Sequence, residues 1–349
     1  MAHFLYFEFY ITLPLQRLIF DTATICGGVW TNLIAFTGGF AIMNFVLRIL
    51  MKIGPLRKFL RLFDEVRWIH AVLWQRKVQI IICLSAALIL SVPMYISSGM
   101  VVTKEKVIEI DNFTATRKEL RFTVISDVHA GASVHRKQTL RVVEEIMKAH
   151  SDAVFIVGDM VDGPVEALLE SHIEPFSVLA KFVPTFFVTG NHEYYYGNAQ
   201  EWLDVYRKFG FNVLENSNKM MNGVCIAGVN DISSSKTGIV NHNMNLTEAL
   251  DGCEDGKTRI LLAHNPVSVL EFHKDDLQTV SLVVSGHTHA GQFYVMVPLV
   301  YFMFPYIYGL HKISEFTQLF ITAGTLYQGP PMKMIGMSEI WTLRLVPKQ

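Results

Sequence analysis

LRFTVISDVH, residues 120–129, is a short apolar run that ends in a D-x-H pair. The pattern recurs four times: AVFIVGD at 153–159, TFFVTGNHE at 185–193, RILLAH at 259–264 and SLVVSGHTH at 281–289. Runs of this length and density suit strands covered on both faces. Taken singly, a D-x-H pair or a histidine after an apolar run is commonplace and reads as an ordinary turn or core residue. The recurrence carries the weight, because in an open α/β sheet ligands gather outside the carboxyl ends of the strands. Together the five clusters supply enough Asp, Asn and His to hold two adjacent divalent metals. That is how an enzyme makes a hydroxide nucleophile and clamps a phosphate at once, so the chemistry indicated is phosphoester hydrolysis.

Between the clusters lie helix-like segments. KQTLRVVEEIMKAH places Leu140, Val143, Ile146 and Met147 on one stripe, and VEALLESHIEPFSVLAKF and AQEWLDVYRKFG repeat the theme. From Phe211 to Asn230 the runs FNVL, NKMM and VCIAGVN read as consecutive strands that open a second sheet. Alternation of this kind predicts a layered α/β architecture.

The blocks D-x-H, G-D, G-N-H-E, H and G-H-x-H stand here in the order that characterises the calcineurin-like metallophosphoesterase superfamily, which the chain resembles from about Leu120 onward. The resemblance implies a four-layer αββα sandwich with metals at one rim. It places Asp127, His129 and His289 on one metal, Asn191, His264 and His287 on the other, and Asp159 between them. It also points His192 at the leaving group, as a general acid or as a donor that only orients its neighbours. Glu193 and Asp162 read as orienting or helix-capping groups. Carboxylate oxygen mixed with imidazole nitrogen suits two divalent ions of manganese, iron or zinc better than calcium. His3, His70, His135, His150, His172, His242, His273 and His311 match no block and read as surface or helix residues. Tyr194, Tyr195 and Tyr196 line a substrate mouth or simply pack. The tail GHTHAGQ, with ITAGTLYQGPPMKMIGMSEIWTLRL further on, is similar to the membrane-associated branch of the superfamily.

Mean hydropathy is +0.31 and 51% of residues are hydrophobic, high for a soluble enzyme. The excess lies in the first hundred residues, where Thr22–Leu47 and Val78–Thr103 each exceed the roughly 20 residues needed to cross a bilayer. Residues 1–103 therefore read as a membrane region and 104–349 as the catalytic domain. Phe4 to Phe20 is apolar but interrupted by Glu8, Pro14 and Arg17, which leaves two or three spans open. Residues 48–77 carry eight Lys or Arg against Asp64 and Glu65, with Leu56, Phe59, Leu60, Phe63, Val66 and Ile69 at helical spacing. This predicts a basic amphipathic helix on an anionic membrane surface. The positive-inside rule makes it cytoplasmic and puts the catalytic domain on the lumenal or extracellular side.

A formal net charge of -1 offers nothing to a nucleic-acid polyanion. Cys225 and Cys253, the two cysteines beyond the spans, are expected to be buried free thiols rather than a bridge. Phe293 to Leu310 is nearly free of charge, but Pro298 and Pro305 break it, so it reads as an interfacial loop inserting Phe302, Phe304, Tyr306 and Ile307, with a further span and a loop packed on the protein itself as the rival readings. The expected function is a membrane-anchored dinuclear-metal phosphoesterase acting on a phosphodiester or pyrophosphate of a lipid or membrane-associated substrate. A glycolipid-anchor phosphoethanolamine phosphodiesterase, a generic phosphomonoesterase and a metal-free membrane scaffold are the alternatives.

Overall fold

A computed structural model describes residues 16–195, 199–239 and 242–349. Gln16–Leu50 and Arg76–Ser98 are helices, both long and apolar enough to cross a membrane. Asn32 Nδ2 donates to Ser91 Oγ at 2.9 Å and Asn44 Nδ2 to Gln79 Oε1 at 3.1 Å, so the two helices run antiparallel with polar contacts at two levels. Side-chain bonds of this kind hold helices together where lipid supplies no hydrophobic drive. The interrupted apolar stretch Phe4–Phe20, which left the number of spans at two or three, falls mostly at residues 1–15, outside the described residues.

The connecting segment is not one helix. It forms two, Gly54–Asp64 and Arg67–Trp74, because Val66 is extended (φ -88, ψ 105). Leu56, Phe59, Leu62 and Trp68 remain exposed along them.

Beyond Ser98 the described residues build twelve strands: β1 (Val102–Ile110), β2 (Leu120–Ile125), β3 (Ala153–Val157), β4 (Thr185–Val188), β5 (Asn212–Val213), β6 (Ser217–Met221), β7 (Val224–Gly228), β8 (Arg259–Leu262), β9 (Leu282–Ser285), β10 (Gly309–Lys312), β11 (Gln318–Ile321) and β12 (Glu339–Pro347). One sheet has the order β1-β12-β2-β3-β4-β5 and the other β10-β11-β9-β8-β7-β6. Within them β2, β3, β4 and β5 run parallel, as do β7, β8, β9 and β11.

Side chains alternate across each strand. Phe122, Val124, Phe155 and Val157 of one sheet meet Ile226, Ile260, Leu262, Leu282 and Val284 of the other in a shared core. The opposite faces, carrying Ile125, Val154 and Ile156 on one side and Leu261 and Val283 on the other, lie under helices such as Arg136–Lys148 and Leu246–Leu250. Covering both faces explains why these strands read as unbroken apolar runs, and it yields the four layers.

Two further expectations are corrected. Cys225 and Cys253 form a disulfide, with Cα atoms 5.8 Å apart. Cys225 sits on β7, and the chain leaving helix Leu246–Leu250 returns over that strand, a proximity that 28 residues of separation do not reveal. In the Phe293–Leu310 stretch, Phe304 and Tyr306 are half-buried and Ile307 is buried. Leu299, Tyr301, Phe302 and Met303 are exposed on a short helix Val297–Met303, and Tyr294 is exposed before it. Phe293 anchors this stretch beside Met94 and Met332, against the ends of the two long helices.

Candidate metal centre

Each polar cluster begins one to three residues past the end of its strand, at the rim where β2, β3, β4, β8 and β9 all finish. The chain turns there through left-handed backbone: φ is 55° at Asp127, 49° at His129, 54° at Asp159, 70° at His287 and 49° at His289. Non-glycine residues hold such angles at a cost of about 1–3 kcal/mol each, and they concentrate at functional sites. Gly158, at φ 77°, cannot be replaced quietly. A Cβ there would lie 2.6 Å from Gly190 N and 2.7 Å from His264 Nδ1.

Two sets of donors face each other across Asp159. On one side His289 Nε2 is 3.3 Å from Asp127 Oδ1, and His129 Nε2 is 3.8 Å from Asp127 Oδ1 and 3.7 Å from Asp159 Oδ2. On the other, His264 Nε2 is 3.1 Å from Asp159 Oδ2, and His287 Nδ1 lies 2.9 Å from Asn191 Oδ1. Asp127, His129, Asp159, Asn191, His264 and His289 are all buried, and His287 is partly so.

These donors fit a pair of divalent ions. His264 Nδ1 pairs with the Val157 carbonyl at 2.7 Å, which leaves the buried Nε2 facing Asp159 Oδ2 at 3.1 Å without an aligned hydrogen bond. A second nitrogen held in this way fixes a histidine's orientation as a ligand. His129 Nε2 and His289 Nε2 converge to 3.0 Å, two nitrogens aimed at one point.

The field favours cations. Burial opposes charge on Asp127 and Asp159, but the imidazoles beside them, His289 and His129 for Asp127, His264 and His192 for Asp159, outweigh it and hold both carboxyls below their usual range. Burial also pulls His264 down, yet the charge of Asp159 prevails and pushes it up to about 10. A site that would hold a proton so firmly attracts a dication in its place. For His289 burial wins and the group falls to about 4, leaving it neutral and ready to coordinate.

His192 lies beside the donors. Its amide donates to Asp159 Oδ1 at 2.8 Å, and its Nδ1 is 2.6 Å from Asp162 Oδ1. The same Asp162 oxygen is 2.9 Å from His129 Nδ1. Glu193 accepts three main-chain N–H groups, from Gly190 at 2.7 Å, Met160 at 2.7 Å and Asp159 at 3.0 Å. Asp162 and Glu193 thus orient the turns and rings around them. Tyr194 is buried and Tyr195 is exposed against the His192 ring at 4.7 Å between centroids; Tyr196 lies outside the described residues.

His242, read from sequence as a surface or helix residue, is instead buried in a loop, 3.2 Å from Tyr194 OH. His172 is buried within its helical segment. The sequence reading also passed over Gln328 and Gln292. Gln328 Nε2 donates to His192 Nε2 at 2.8 Å, while the Gln292 side-chain amide pairs with the Gln328 main chain, donating to Gln328 O and accepting from Gln328 N, both at 2.9 Å. Both glutamines lie in the tail segments that carry the family likeness, the one available signal for them.

The chain belongs to the calcineurin-like metallophosphoesterases: the family model for calcineurin-like phosphoesterase matches residues 120–291. A Danio rerio protein named transmembrane protein with metallophosphoesterase domain is 34% identical over 248 residues, covering 68% of this chain and 56% of the relative. An uncharacterized metallophosphoesterase of Aquifex aeolicus is 30% identical over 225 residues, covering 64% of this chain and 83% of the relative. A solved dimetal phosphatase from Danio rerio aligns over 66% of this chain and 93% of its own, with TM-score 0.42 and 13% identity. The chain spans little more than half the length of the first of these relatives.

Proposed function

We propose that this protein is a membrane-anchored phosphoesterase that uses two divalent ions of manganese, iron or zinc to hydrolyse a phosphodiester or pyrophosphate of a lipid or membrane-associated substrate. The observation that carries the reading is the pair of donor sets sharing Asp159, with Asp127, His129 and His289 on one side and Asn191, His264 and His287 on the other. Ions bound there would supply an activated water and positive charge against the phosphate oxygens.

The chain's own groups do the rest. Asp162 grips His192 through Nδ1, so a proton carried at Nε2 is the one available to a departing alkoxide. Burial disfavours that proton, but the charges of Asp162 and Asp159 raise the pKa of His192 above its ordinary value, as a general acid near neutrality requires. Gln328 Nε2 donates to that same ring nitrogen in this structure, so His192 Nε2 serves a leaving oxygen only once the ring is protonated and Gln328 gives way to substrate.

The lipid preference rests on placement. The helix bearing Leu299, Tyr301, Phe302 and Met303 follows the last donor, His289, by fewer than ten residues, and its approach through Phe293 packs on Met94 of a helix suited to a bilayer. A lumenal or extracellular catalytic side is supported by the basic connection between the long helices and by the Cys225–Cys253 bridge, a bond of oxidising compartments.

The test is hydrolysis by purified, metal-loaded full chain of three substrates: an aryl phosphomonoester, an aryl phosphodiester and a set of phospholipids in mixed micelles. Diester and lipid turnover above monoester turnover is expected. Monoester activity alone would replace the reading with a phosphomonoesterase, and no turnover by a chain that holds two ions would overturn it.

A further inference from the structure

Lys333 is wholly buried, an uncommon place for a lysine. Its Nζ is held by main-chain carbonyls, donating to Gly324 O at 2.8 Å and to Leu326 O. The turn those carbonyls belong to reaches the metal donors. Thr325 N donates to Ser126 O at 2.7 Å and Leu326 N to Asp127 O at 3.2 Å. Gly324, at φ 83°, lies so close that a Cβ on it would stand 2.8 Å from Asp127 Cβ.

The other end of this connection is in the long helices. Lys333 N donates to the carbonyl of Met94, a wholly buried residue near the end of Arg76–Ser98. Ser98 Oγ donates to Pro331 O at 2.8 Å, and Gly336 N donates to Ser97 Oγ at 3.2 Å. Met332 packs against Met94 and Phe293 and lies over Gly28 of the first helix, where a Cβ would come 2.5 Å from Met332 Sδ. Segment 331–336 is therefore gripped by both helices.

We propose that the membrane-spanning helices are part of the metal site: through Met332 and Lys333 they fix the turn Gly324–Leu326, and that turn fixes Asp127. The inference rests on the two-ion reading and deepens it by making Lys333 a positioning residue. The chemistry explains the choice of residue. Two carbonyls converge on one enclosed point, and a buried carbonyl without a donor is costly. A lysine Nζ carries at least two N–H donors and satisfies both. A neutral side chain would leave the turn, and Asp127 with it, free to shift.

The experiment uses the full chain in nanodiscs loaded with manganese, with ions per chain counted by elemental analysis and spin coupling between them read by electron paramagnetic resonance. The wild type is expected to hold two coupled ions. Lys333→Met should bind one of them at least about tenfold more weakly, the scale of losing a group that orients a ligand, with the coupled signal replaced by that of an isolated ion. Gly28→Met, which drives a side chain into Met332, should have the same effect, and adding Met332→Ala should restore the coupled pair. Should Lys333→Met fail to fold, the loss in Gly28→Met and its recovery in the double variant decide the matter. Two coupled ions at wild-type affinity in both single variants would overturn the proposal. A wild type without two ions would instead sink the two-ion reading beneath it.

Discussion

His264 presents Nε2 to Asp159 Oδ2 at 3.1 Å while its other nitrogen is tied to the carbonyl of Val157, the last residue of the strand that delivers Asp159. Ligand and orienting partner thus come from one strand end. Asp159→Asn keeps the shape but removes the charge shared between the two donor sets. Metal content measured on the purified variant should drop below two ions per chain, and turnover should fall by more than about 100-fold, beyond what losing an orienting partner costs. Full metal content with normal turnover would refute the shared role.

Removing the His192 ring should act differently. His192→Ala should retain both ions yet lose about 100-fold to 10,000-fold in rate, the range of general acid catalysis. The loss should be steepest for aryl diesters with poor leaving groups. A plot of rate against leaving-group acidity that stays parallel to wild type would reduce His192 to an orienting role.

Glu193 makes a stability prediction. Glu193→Ala strips the acceptor from the buried amides of Gly190, Asp159 and Met160. Each orphaned donor costs about 1–3 kcal/mol, so a metal-free sample in detergent should melt well below wild type. An unchanged melting temperature would show that water takes over all three bonds.

The Cys225–Cys253 bridge bears on both stability and sidedness. Cys225→Ser should cost about 2–4 kcal/mol. In sealed secretory vesicles or their bacterial equivalent, the catalytic part of the wild type should resist added protease and keep its bridge. Digestion from the cytoplasmic side would invert the proposed topology.

The exposed helix separates membrane contact from catalysis. Replacing Leu299, Tyr301, Phe302 and Met303 with Ser should lower turnover of phospholipid in vesicles, since each large apolar side chain taken out of water is worth on the order of 1.5–3 kcal/mol. Turnover of a small soluble diester should hold, because none of the four is a metal donor. Equal losses on both substrates would mean the helix supports the site from within.

Much of the fold was legible because its signals are local and periodic. Apolar runs covered on both faces announced β2, β3, β4, β8 and β9, and the residue types that follow them named the donors. What stayed hidden depends on distant pairing. The bridge between Cys225 and Cys253, the bond from Gln328 to His192, and the burial of Lys333 each join residues that no spacing relates. Phe304, Tyr306 and Ile307 misled for another reason: an aromatic, uncharged stretch reads the same whether its side chains face lipid or a neighbouring core.

β12 lies between β1 and β2, pairing parallel with the first over nine residues and antiparallel with the second. It is also the last strand to be synthesised among those described. While the ribosome is still at work, β1 has already followed the second long helix out, with no neighbour to accept its hydrogen bonds. The sheet from β2 to β5 can assemble meanwhile, but the seam joining it to the two long helices closes only when Glu339–Pro347 arrives. Biogenesis therefore leaves an open strand edge next to the second long helix until β12 emerges, the kind of edge on which unfinished chains aggregate.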